Sequence, residues 1–399
     1  MAEKTKGHPG GATKNTGLRD VVAASTRISQ VDGKRGILVY RGYTIETLAE
    51  NSSYEEVAYL ILYGKMPTQI ELDQFTEQLK RERWIPRVLV EFGQRIPHTT
   101  APMDVLQGTV PILGGYDNEA SVETREANIR KAIRLIAKLP TAVACWARSR
   151  EGRDFIAPRE DLSHAANFLY MLHGKEPDPE VARIFDICLI LHADHQFNAS
   201  TFACRVVAST RAHMYSAVGA GIGALAGVLH GGANEEVMKQ LKEIGAPEYL
   251  ESFVREKLDG GGRIMGMGHA LYKTMDPRAS ILKSFASSLA ERTNSRQWFE
   301  LSSKLDEVAR KEFKARGKEN IHPNVDFYSA SVYTAMGIPT DLFTPIFAIS
   351  RVTGWAAHII EEKFADAQPK PVIYRPEAEY IGPGKDLKGL KYIPIKLRE

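Results

Sequence analysis

Apolar residues recur at helical spacing along most of the chain. Thr68 and Glu71 form a capping box, a pair of side chains that bond each other's backbone at a helix start. Leu72, Phe75 and Leu79 then follow on one face, which predicts an amphipathic helix. Further helices are predicted from the capping box of Ser53 and Glu56 to Gly64, and along the stripe of Trp298, Leu301, Leu305 and Val308.

Strand patterns are confined to the two ends of the chain. Val31-Asp32-Gly33 followed by residues 37–40 predicts a small hairpin. Residues 390–397 are typical of an extended segment, and Pro394 keeps it from being a central strand. The absence of strands that alternate with helices argues against a parallel α/β sheet, and the predicted class is mainly α.

Composition narrows the class of protein. A chain of 399 residues predicts two domains, and 43% apolar with 25% charged residues is typical of a soluble globular protein. The net charge of +3 comes with scattered basic residues, which argues against a nucleic-acid groove or a membrane-binding surface. Residues 1–11 lack an apolar signal core and predict a disordered lead-in and a cytoplasmic protein. Three separated cysteines predict buried, reduced thiols: Cys145, Cys188 and Cys204.

In the glycine-rich stretch 260–279, His269 follows a run of glycines and is itself followed by two cations, Lys273 and Arg278. Glycines let a backbone approach something closely, and Asp276 before proline interrupts a helix. The stretch therefore predicts either a loop tip or a site for an anionic ligand.

Residues 219–224, Gly-Ala-Gly-Ile-Gly-Ala, fit a loose dinucleotide-binding pattern. That pattern requires a preceding strand, and residues 211–218 do not have the character of one. Close packing of two helices explains the small residues better.

His192 and His195 are three residues apart, a spacing that places side chains together on a helix face. A metal site is conceivable from such a pair, although a lone His-x-x-His is weak support. Further ligands for it would be His230, His269 and Asp326.

Two other residues can each be interpreted as structural or as functional. His230 precedes Gly231 and Gly232, so a helix could end at His230, where a side chain can point into a cleft. Asp326 precedes Phe327 and Tyr328, whose apolar surroundings would raise its pKa and make it a better base. Asp326 could equally be a helix cap.

Arg351 is the only permanent charge in the apolar segment 345–360, which predicts a buried helix. An unpaired buried charge costs several kcal/mol, so Arg351 must meet an internal acid or an anionic ligand. With Arg278 and Arg375 as further candidates, a ligand with several carboxylates is indicated.

Taken together, these motifs resemble those of the citrate synthase family, from about Gly17 to the tail. Met267 and Leu271 depart from the family's usual residues, which bears on pocket shape more than on chemistry. The matching stretches, in chain order, are His192-Ala-Asp-His195 with Asn198-Ala-Ser-Thr201, Leu229-His230-Gly-Gly-Ala-Asn234, Gly266 to Arg278 around His269, and Asn324-Val-Asp326-Phe-Tyr-Ser329.

The resemblance implies a mainly α, two-domain fold, with residues 1–230 plus 338–399 as the large domain and residues 231–337 as the small one. It implies the entry step of the tricarboxylic acid cycle, in which acetyl-CoA, oxaloacetate and water give citrate and coenzyme A. It also implies a homodimer and a reaction without metal or cofactor, since the coenzyme A thioester is a substrate.

The resemblance also implies roles for individual residues. Asp326 matches the base, His230 the group that bonds the enol oxygen, and His269 the group that polarises the oxaloacetate ketone. Around oxaloacetate, the binding residues would be His195, His230, His269, Arg278, Arg351 and Arg375, the last reaching into the neighbouring subunit. Coenzyme A would contact Arg263, Ile264, Met265, Gly266 and Lys273.

Three alternatives remain open from the sequence. 2-Methylcitrate synthase uses propionyl-CoA with the same catalytic groups, and one methylene is worth only about 1–3 kcal/mol of discrimination. A metal-dependent hydrolase would use the histidines and lose activity in chelator. A non-catalytic helical scaffold would have no need for a charged Arg351.

Overall fold

A computed structural model of the protein describes residues 16–18, 21–293, 295–383 and 389–398. Helices dominate this part of the chain, which confirms the mainly α class. The strands are β1 (Ser29–Asp32), β2 (Ile37–Tyr40) and β3 (Tyr43–Thr44). The helices are α1 (Ile45–Asn51), α2 (Tyr54–Tyr63), α3 (Gln69–Arg81), α4 (Arg87–Arg95), α5 (Pro102–Gly115), α6 (Arg125–Ser149), α7 (His164–His173), α8 (Pro179–His192), α9 (Ala199–Ser209), α10 (Met214–Leu225), α11 (Ala233–Ile244), α12 (Leu250–Asp259), α13 (Pro277–Arg292), α14 (Arg296–Ala315), α15 (Val325–Ala335) and α16 (Phe343–Phe364).

The predicted hairpin is confirmed, and a short third strand extends it. β1 pairs antiparallel with β2, with Ser29 opposite Tyr40, and β2 pairs with β3. The turn between the first two strands is stabilised by Asp32, whose carboxylate accepts two backbone N–H bonds and whose carbonyl accepts the N–H of Gly36. Gly36 has a φ of 69°, a left-handed conformation that favours glycine.

Side-chain caps begin the helices where the sequence predicts them. The Thr68 hydroxyl accepts the backbone N–H of Glu71 and the Glu71 carboxylate accepts that of Thr68, a complete capping box. At α2 the Ser53 hydroxyl accepts the backbone N–H of Glu56, which is one of the two bonds of the predicted capping box, and α2 ends at Gly64 with a φ of 80°. In α14 the predicted apolar stripe faces the core, with Leu301 and Leu305 buried.

Helix α16 is the centre of the large core. Nearly every residue from Phe343 to Lys363 is buried, and the helix packs against α2, α6, α8, α9 and α10. The glycine-rich run 219–224 lies within α10, and α9 precedes it in the chain, not a strand. A Cβ on Gly221 would overlap the Cys204 sulfur and lie 3.2 Å from Trp355. Close helix packing is therefore the role of these small residues, as predicted.

Helices α11 to α15 pack against one another and touch the rest of the structure through α1, α8 and α16. This grouping is compatible with the predicted small domain of residues 231–337, and the domain division stays a prediction.

The ends of the chain differ in part from expectation. The tail has no strand among residues 389–398 and contains a 3₁₀ turn at Ile395–Leu397. The predicted lead-in of residues 1–11 lies outside the described residues.

All three cysteines are buried and free, as predicted. None of the described helices is long and apolar enough to cross a membrane.

Candidate active site

Four segments meet at one cleft. They are the turn after α8, the turn between α10 and α11, the loop before α13, and the first turn of α15. The rings of His195 and His269 lie 5.2 Å apart between centroids, although the two residues come from different segments. Helix α9 links a third histidine, His230, to this group. Its cap Asn198 donates to the His195 carbonyl, and Ser200 in the same helix contacts His230.

His230 is held as a neutral ring with a defined tautomer. Its Nε2 accepts the backbone N–H of Ser200 at 3.2 Å and lies 2.9 Å from the Ser200 hydroxyl. Because a backbone N–H can only donate, Nε2 carries no proton and the proton is on Nδ1. Burial, with the charge of Arg351, lowers the pKa of His230 to about 4. His230 therefore offers one N–H donor at neutral pH.

His230 does not end a helix, contrary to prediction. Helix α10 ends at Leu225, and the chain turns through residues 226–232 before α11. Gly231 serves this turn, because it donates its N–H to the Leu225 carbonyl and a Cβ there would overlap that carbonyl.

His269 has the opposite tautomer. Its Nδ1 accepts the backbone N–H groups of Leu271 at 3.0 Å and Tyr272 at 3.3 Å, so the proton is on Nε2. Burial is the main cause that lowers its pKa to about 4, followed by the charge of Arg278. His269 is thus a second neutral donor in the cleft.

His195 is buried beside His269, and its Nε2 lies 3.2 Å from the Tyr272 hydroxyl. Burial, then the charge of Arg278, holds its pKa well below the ordinary range. The predicted helix face shared with His192 is wrong, because α8 ends at His192 and His195 lies in the following turn. His192 instead bonds the Cys188 carbonyl within α8 through Nδ1, at 2.7 Å.

Two buried arginines approach the cleft in different electrostatic situations. Arg278 is paired with Asp276 through two hydrogen bonds of 3.0 and 2.8 Å. The same carboxylate accepts the N–H of Val325 at 3.2 Å and so joins the start of α13 to that of α15. Burial disfavours its charge, but Asp276 together with Tyr272 and Tyr40 opposes burial, and the net effect raises the pKa of Arg278.

Arg351 has no such carboxylate partner among the described residues. It is 1% exposed, its Nε donates to the His192 carbonyl at 2.6 Å, and its Nη2 is buried without a hydrogen-bond partner. Burial lowers its pKa to about 10, so it still carries a charge at neutral pH. Of the two predicted partners, an internal acid and an anionic ligand, the structure favours the ligand.

Asp326 lies in the first turn of α15 and is not its cap. Asn324 caps the helix and accepts the Asp326 backbone N–H at 3.0 Å. The Asp326 Oδ1 is buried without a hydrogen-bond partner in the described chain. Burial raises the pKa of Asp326 to about 7, even though Arg278 and Arg351 oppose the shift. A carboxylate of this kind can gain and lose a proton near neutral pH.

The loop with His269 is fixed against α15. Met267 pairs with Pro323, and Asn324 donates its N–H to the Gly266 carbonyl at 2.9 Å. Gly266 has a φ of 76°, and a Cβ there would lie 2.6 Å from the Val237 side chain. Its backbone therefore packs closely against the protein itself, which is a different reason for glycine from the approach of a ligand.

The other residues with predicted roles differ in how far they are exposed. Of the predicted coenzyme A contacts, Arg263 and Lys273 are exposed, Ile264 is buried and Met265 is half-buried. Arg375 is exposed in the segment after α16, and no hydrogen bond joins it to the described residues of the cleft. The structure thus brings together His195, His230, His269, Arg278, Asp326 and Arg351, and leaves Arg375 outside.

Three residues of the cleft were not assigned a role from the sequence: Ser200, Tyr272 and Asp276. Ser200 sets the tautomer of His230, and Asp276 neutralises Arg278. All three lie within the stretches that resemble the citrate synthase family, so they could have been considered as site residues. Their contacts could not have been predicted, because the partners are up to 77 residues away in the chain.

No group of three or more His, Cys, Asp or Glu side chains in the described ranges is arranged to hold a metal ion. A cavity of about 710 Å³ lies elsewhere, beside α4, α5 and α6. Its charged wall is internally paired, since Arg134 forms ion pairs with Glu82, Asp117 and Glu119. By contrast, the cleft keeps unpartnered buried atoms on Asp326 and Arg351, which is typical of a site that a polar ligand completes.

Comparisons with known proteins show which proteins the chain is similar to. The family described as citrate synthase, C-terminal domain, matches residues 17–377. The chain is 45% identical to a citrate synthase of Synechocystis over 96% of its length and 93% of the relative's, and 39% identical to a 2-methylcitrate synthase of Shewanella oneidensis over 96% and 97%. The citrate synthase structure from Pyrobaculum aerophilum covers all of both chains at 41% identity, with a TM-score of 0.88. A complex of the Thermoplasma acidophilum citrate synthase with carboxymethyl coenzyme A and oxaloacetate also scores 0.88, at 33% identity over 96% of this chain and 98% of that one.

Proposed function

The chain belongs to the citrate synthase family, and from that premise we propose how its cleft condenses acetyl-CoA with oxaloacetate and water to give citrate and coenzyme A. The observation that carries the mechanism is the combination of an unpartnered carboxylate of raised pKa, Asp326, with two neutral histidine donors of defined tautomer, His230 and His269.

Carbon–carbon bond formation needs a base and two oxygen-stabilising groups. Asp326 removes a proton from the acetyl methyl group, and the Nδ1–H of His230 bonds the thioester oxygen as it gains negative charge. The Nε2–H of His269 polarises the ketone of oxaloacetate by a hydrogen bond to its oxygen. As the new bond forms this oxygen gains a proton, which is balanced by the proton that Asp326 has removed from the methyl group, so His269 ends the step as the neutral ring. Water then adds to the thioester carbon of the citryl intermediate, and coenzyme A leaves as the thiol.

Oxaloacetate is held by positive charge and by His195. Arg351 offers an unpartnered guanidinium nitrogen, and Arg278 offers the edge that Asp276 does not occupy. A planar guanidinium binds a carboxylate with two parallel bonds, which orients the ketone for attack. Arg263 to Gly266 and Lys273 are proposed to contact coenzyme A, since the two cations are exposed at the loop and suit its phosphates. The donors and the base in this scheme are all side chains, so it requires neither metal nor cofactor.

The protein is proposed to act as a homodimer in which Arg375 completes the partner's site. Support comes from its position, because Arg375 is exposed and Pro371 and Pro376 favour an extended segment around it. The neighbouring Tyr374 is anchored by its N–H to Ser209 and by its hydroxyl to Glu362. We also propose that residues 231–337 form the small domain, with the cleft between it and the remainder of the chain.

The experiment that tests the function supplies acetyl-CoA with oxaloacetate and follows release of free thiol. Turnover should depend on both substrates and should persist in the presence of a chelator. Absence of thiol release from folded protein would refute the proposal, and loss in chelator would favour a metal-dependent hydrolase.

The alternative acyl donor is propionyl-CoA, because a 2-methylcitrate synthase is among the relatives at 39% identity. Comparing kcat/KM for the two thioesters separates the alternatives. We expect acetyl-CoA to be preferred, and a higher kcat/KM with propionyl-CoA would reassign the protein as a 2-methylcitrate synthase.

A further inference from the structure

Tyr272 bridges two of the cleft histidines. It is 2% exposed, its hydroxyl lies 3.2 Å from His195 Nε2, and its ring centroid is 4.7 Å from that of His269. A hydroxyl buried at this position contacts the group that holds the substrate, and no step of the reaction above uses it.

The direction of the bond between Tyr272 and His195 follows from their chemistry. Burial raises the pKa of Tyr272, so its phenol keeps its proton, and burial is also the main cause that lowers the pKa of His195, so its ring is neutral. An unprotonated imidazole nitrogen is a better acceptor than a phenol oxygen, and a phenol is a better donor than a neutral imidazole N–H. The phenol therefore donates to Nε2, and the proton of His195 is on Nδ1.

The backbone around Tyr272 is fixed from the outer side. Lys273 donates its N–H to the Gly33 carbonyl at 2.8 Å, and Gly33 packs so closely that a Cβ on it would overlap the Leu271 carbonyl. The turn between β1 and β2 thus supports the loop from outside, while the Tyr272 hydroxyl meets His195 on the inside. With the backbone held, the hydroxyl has a fixed position relative to the imidazole.

We propose that Tyr272 is a positioning residue for the dicarboxylic 2-oxo acid substrate. By holding His195 in the tautomer with its proton on Nδ1, it presents an N–H donor to a substrate carboxylate. The identity of the substrate rests on the proposed function, whereas the tautomer of His195 does not depend on it. Tyr272 should therefore affect the binding of the oxo acid more than the chemical step.

Steady-state kinetics of Tyr272→Phe test this role, because the substitution keeps the ring and removes the hydroxyl. We expect KM for oxaloacetate to rise by about 2- to 10-fold, the usual worth of one hydrogen bond, while kcat and KM for acetyl-CoA change by less than about twofold. The matched control is Tyr215→Phe, since the buried Tyr215 bonds Asp117 away from the cleft. An unchanged KM for oxaloacetate in Tyr272→Phe, or an equal rise in the control, would overturn the proposal.

Nitrogen NMR of protein labelled with ¹⁵N at histidine tests the tautomer without turnover. His195→Gln identifies the His195 signals, which should show a protonated Nδ1 and an unprotonated Nε2 in the wild type. In Tyr272→Phe we expect both nitrogens to move toward averaged shifts as the two tautomers interconvert. A wild-type His195 protonated on Nε2, or identical spectra for the two proteins, would contradict the assignment. If the wild type released no thiol, the proposed function would fail while this measurement still decided the role of Tyr272.

Discussion

The backbone N–H of Ser200 donates to Nε2 of His230, 30 residues later in the chain. This bond fixes which nitrogen of the imidazole carries the proton, and it belongs to a helix start that Asn198 caps. A helix end therefore determines the orientation of the donor that we propose for the thioester oxygen.

Replacement of Ser200 by alanine should have a small effect on turnover. Ser200→Ala removes the hydroxyl 2.9 Å from His230 but keeps the backbone N–H that sets the tautomer. We expect kcat to fall by about 2- to 10-fold, compared with about 10²–10³-fold for His230→Ala, which removes the donor itself. Thiol release at saturating substrates measures both. Equal losses in the two variants would show that the hydroxyl, and not the amide, controls His230.

The role of Asp326 as the base predicts a large loss in Asp326→Asn. The amide has the same shape but cannot accept the methyl proton, so kcat should fall by about 10²–10⁴-fold while oxaloacetate still binds. Because the pKa of Asp326 is about 7 and the base acts when deprotonated, wild-type turnover should also decline as the pH falls through 7. Near-normal turnover of acetyl-CoA by folded Asp326→Asn would exclude this base.

The same raised pKa predicts a pH-dependent change in stability. The ordinary pKa of an aspartate is 3.8, so between about pH 4 and pH 7 the unfolded chain loses this proton while the folded protein keeps it. The free energy of unfolding therefore falls across that range, and the full cost of burying Asp326 is present above about pH 7. Asp326→Asn removes the cost and should stabilise the protein at pH 8 by up to about 4 kcal/mol, with the gain vanishing toward pH 4. Thermal unfolding at both pH values measures it, and an equal effect at pH 4 and pH 8 would argue against ionisation as the cause.

Local interactions made much of the fold predictable. Thr68 and Glu71 are three residues apart and cap the same helix turn, so their pattern alone located the start of α3. The end of α10 was not predictable, because Gly231 marks a close approach to the Leu225 carbonyl and not the helix end. A glycine indicates that another atom approaches the backbone closely, but the sequence does not show which residue that atom belongs to.

For the cleft, the sequence identified residue types that could perform the chemistry but not their protonation. The apolar neighbours of Asp326 predicted its raised pKa, because those neighbours are adjacent in the chain. The tautomer of His230 depends on Ser200, and Tyr272, whose hydroxyl contacts His195, is 77 residues away from it. Such partners are set by tertiary contacts, which a local pattern does not contain.

Arg351 should govern oxaloacetate affinity through geometry as well as charge. Its Nη2 is buried and unpartnered, so a bound carboxylate would gain a charge-assisted bond of about 1.5–3 kcal/mol. Arg351→Lys keeps the charge but loses the planar fork, and KM for oxaloacetate should rise by about 10- to 100-fold. Arg83→Lys is the control, since Arg83 is also buried but outside the cleft. A comparable rise in the control, or none in Arg351→Lys, would remove Arg351 from the binding site.

The loop glycines allow a matched comparison of strain and steric overlap. Gly266 and Gly268 both have positive φ, 76° and 88°, so alanine is strained at each. Only at Gly266 does a Cβ meet a close neighbour, 2.6 Å from Val237, whereas at Gly268 the nearest atom is 3.8 Å away on Ile321. Gly266→Ala should thus be less stable than Gly268→Ala by about 1–3 kcal/mol, the usual cost of overpacking. Denaturant unfolding measures the difference, and equal stabilities would mean that the loop is not packed as described.

Complementation between two inactive variants tests the proposed position of Arg375. If it serves the partner's site, His269→Ala and Arg375→Ala homodimers should each be nearly inactive. A mixed dimer would contain one site with both lesions and one site with an intact His269 and an intact arginine. Random reassociation at equal concentrations makes about half the dimers mixed, so activity should recover to about a quarter of wild type. If Arg375 served its own subunit, every site would lack one group, and verified subunit exchange without recovery would exclude the shared site.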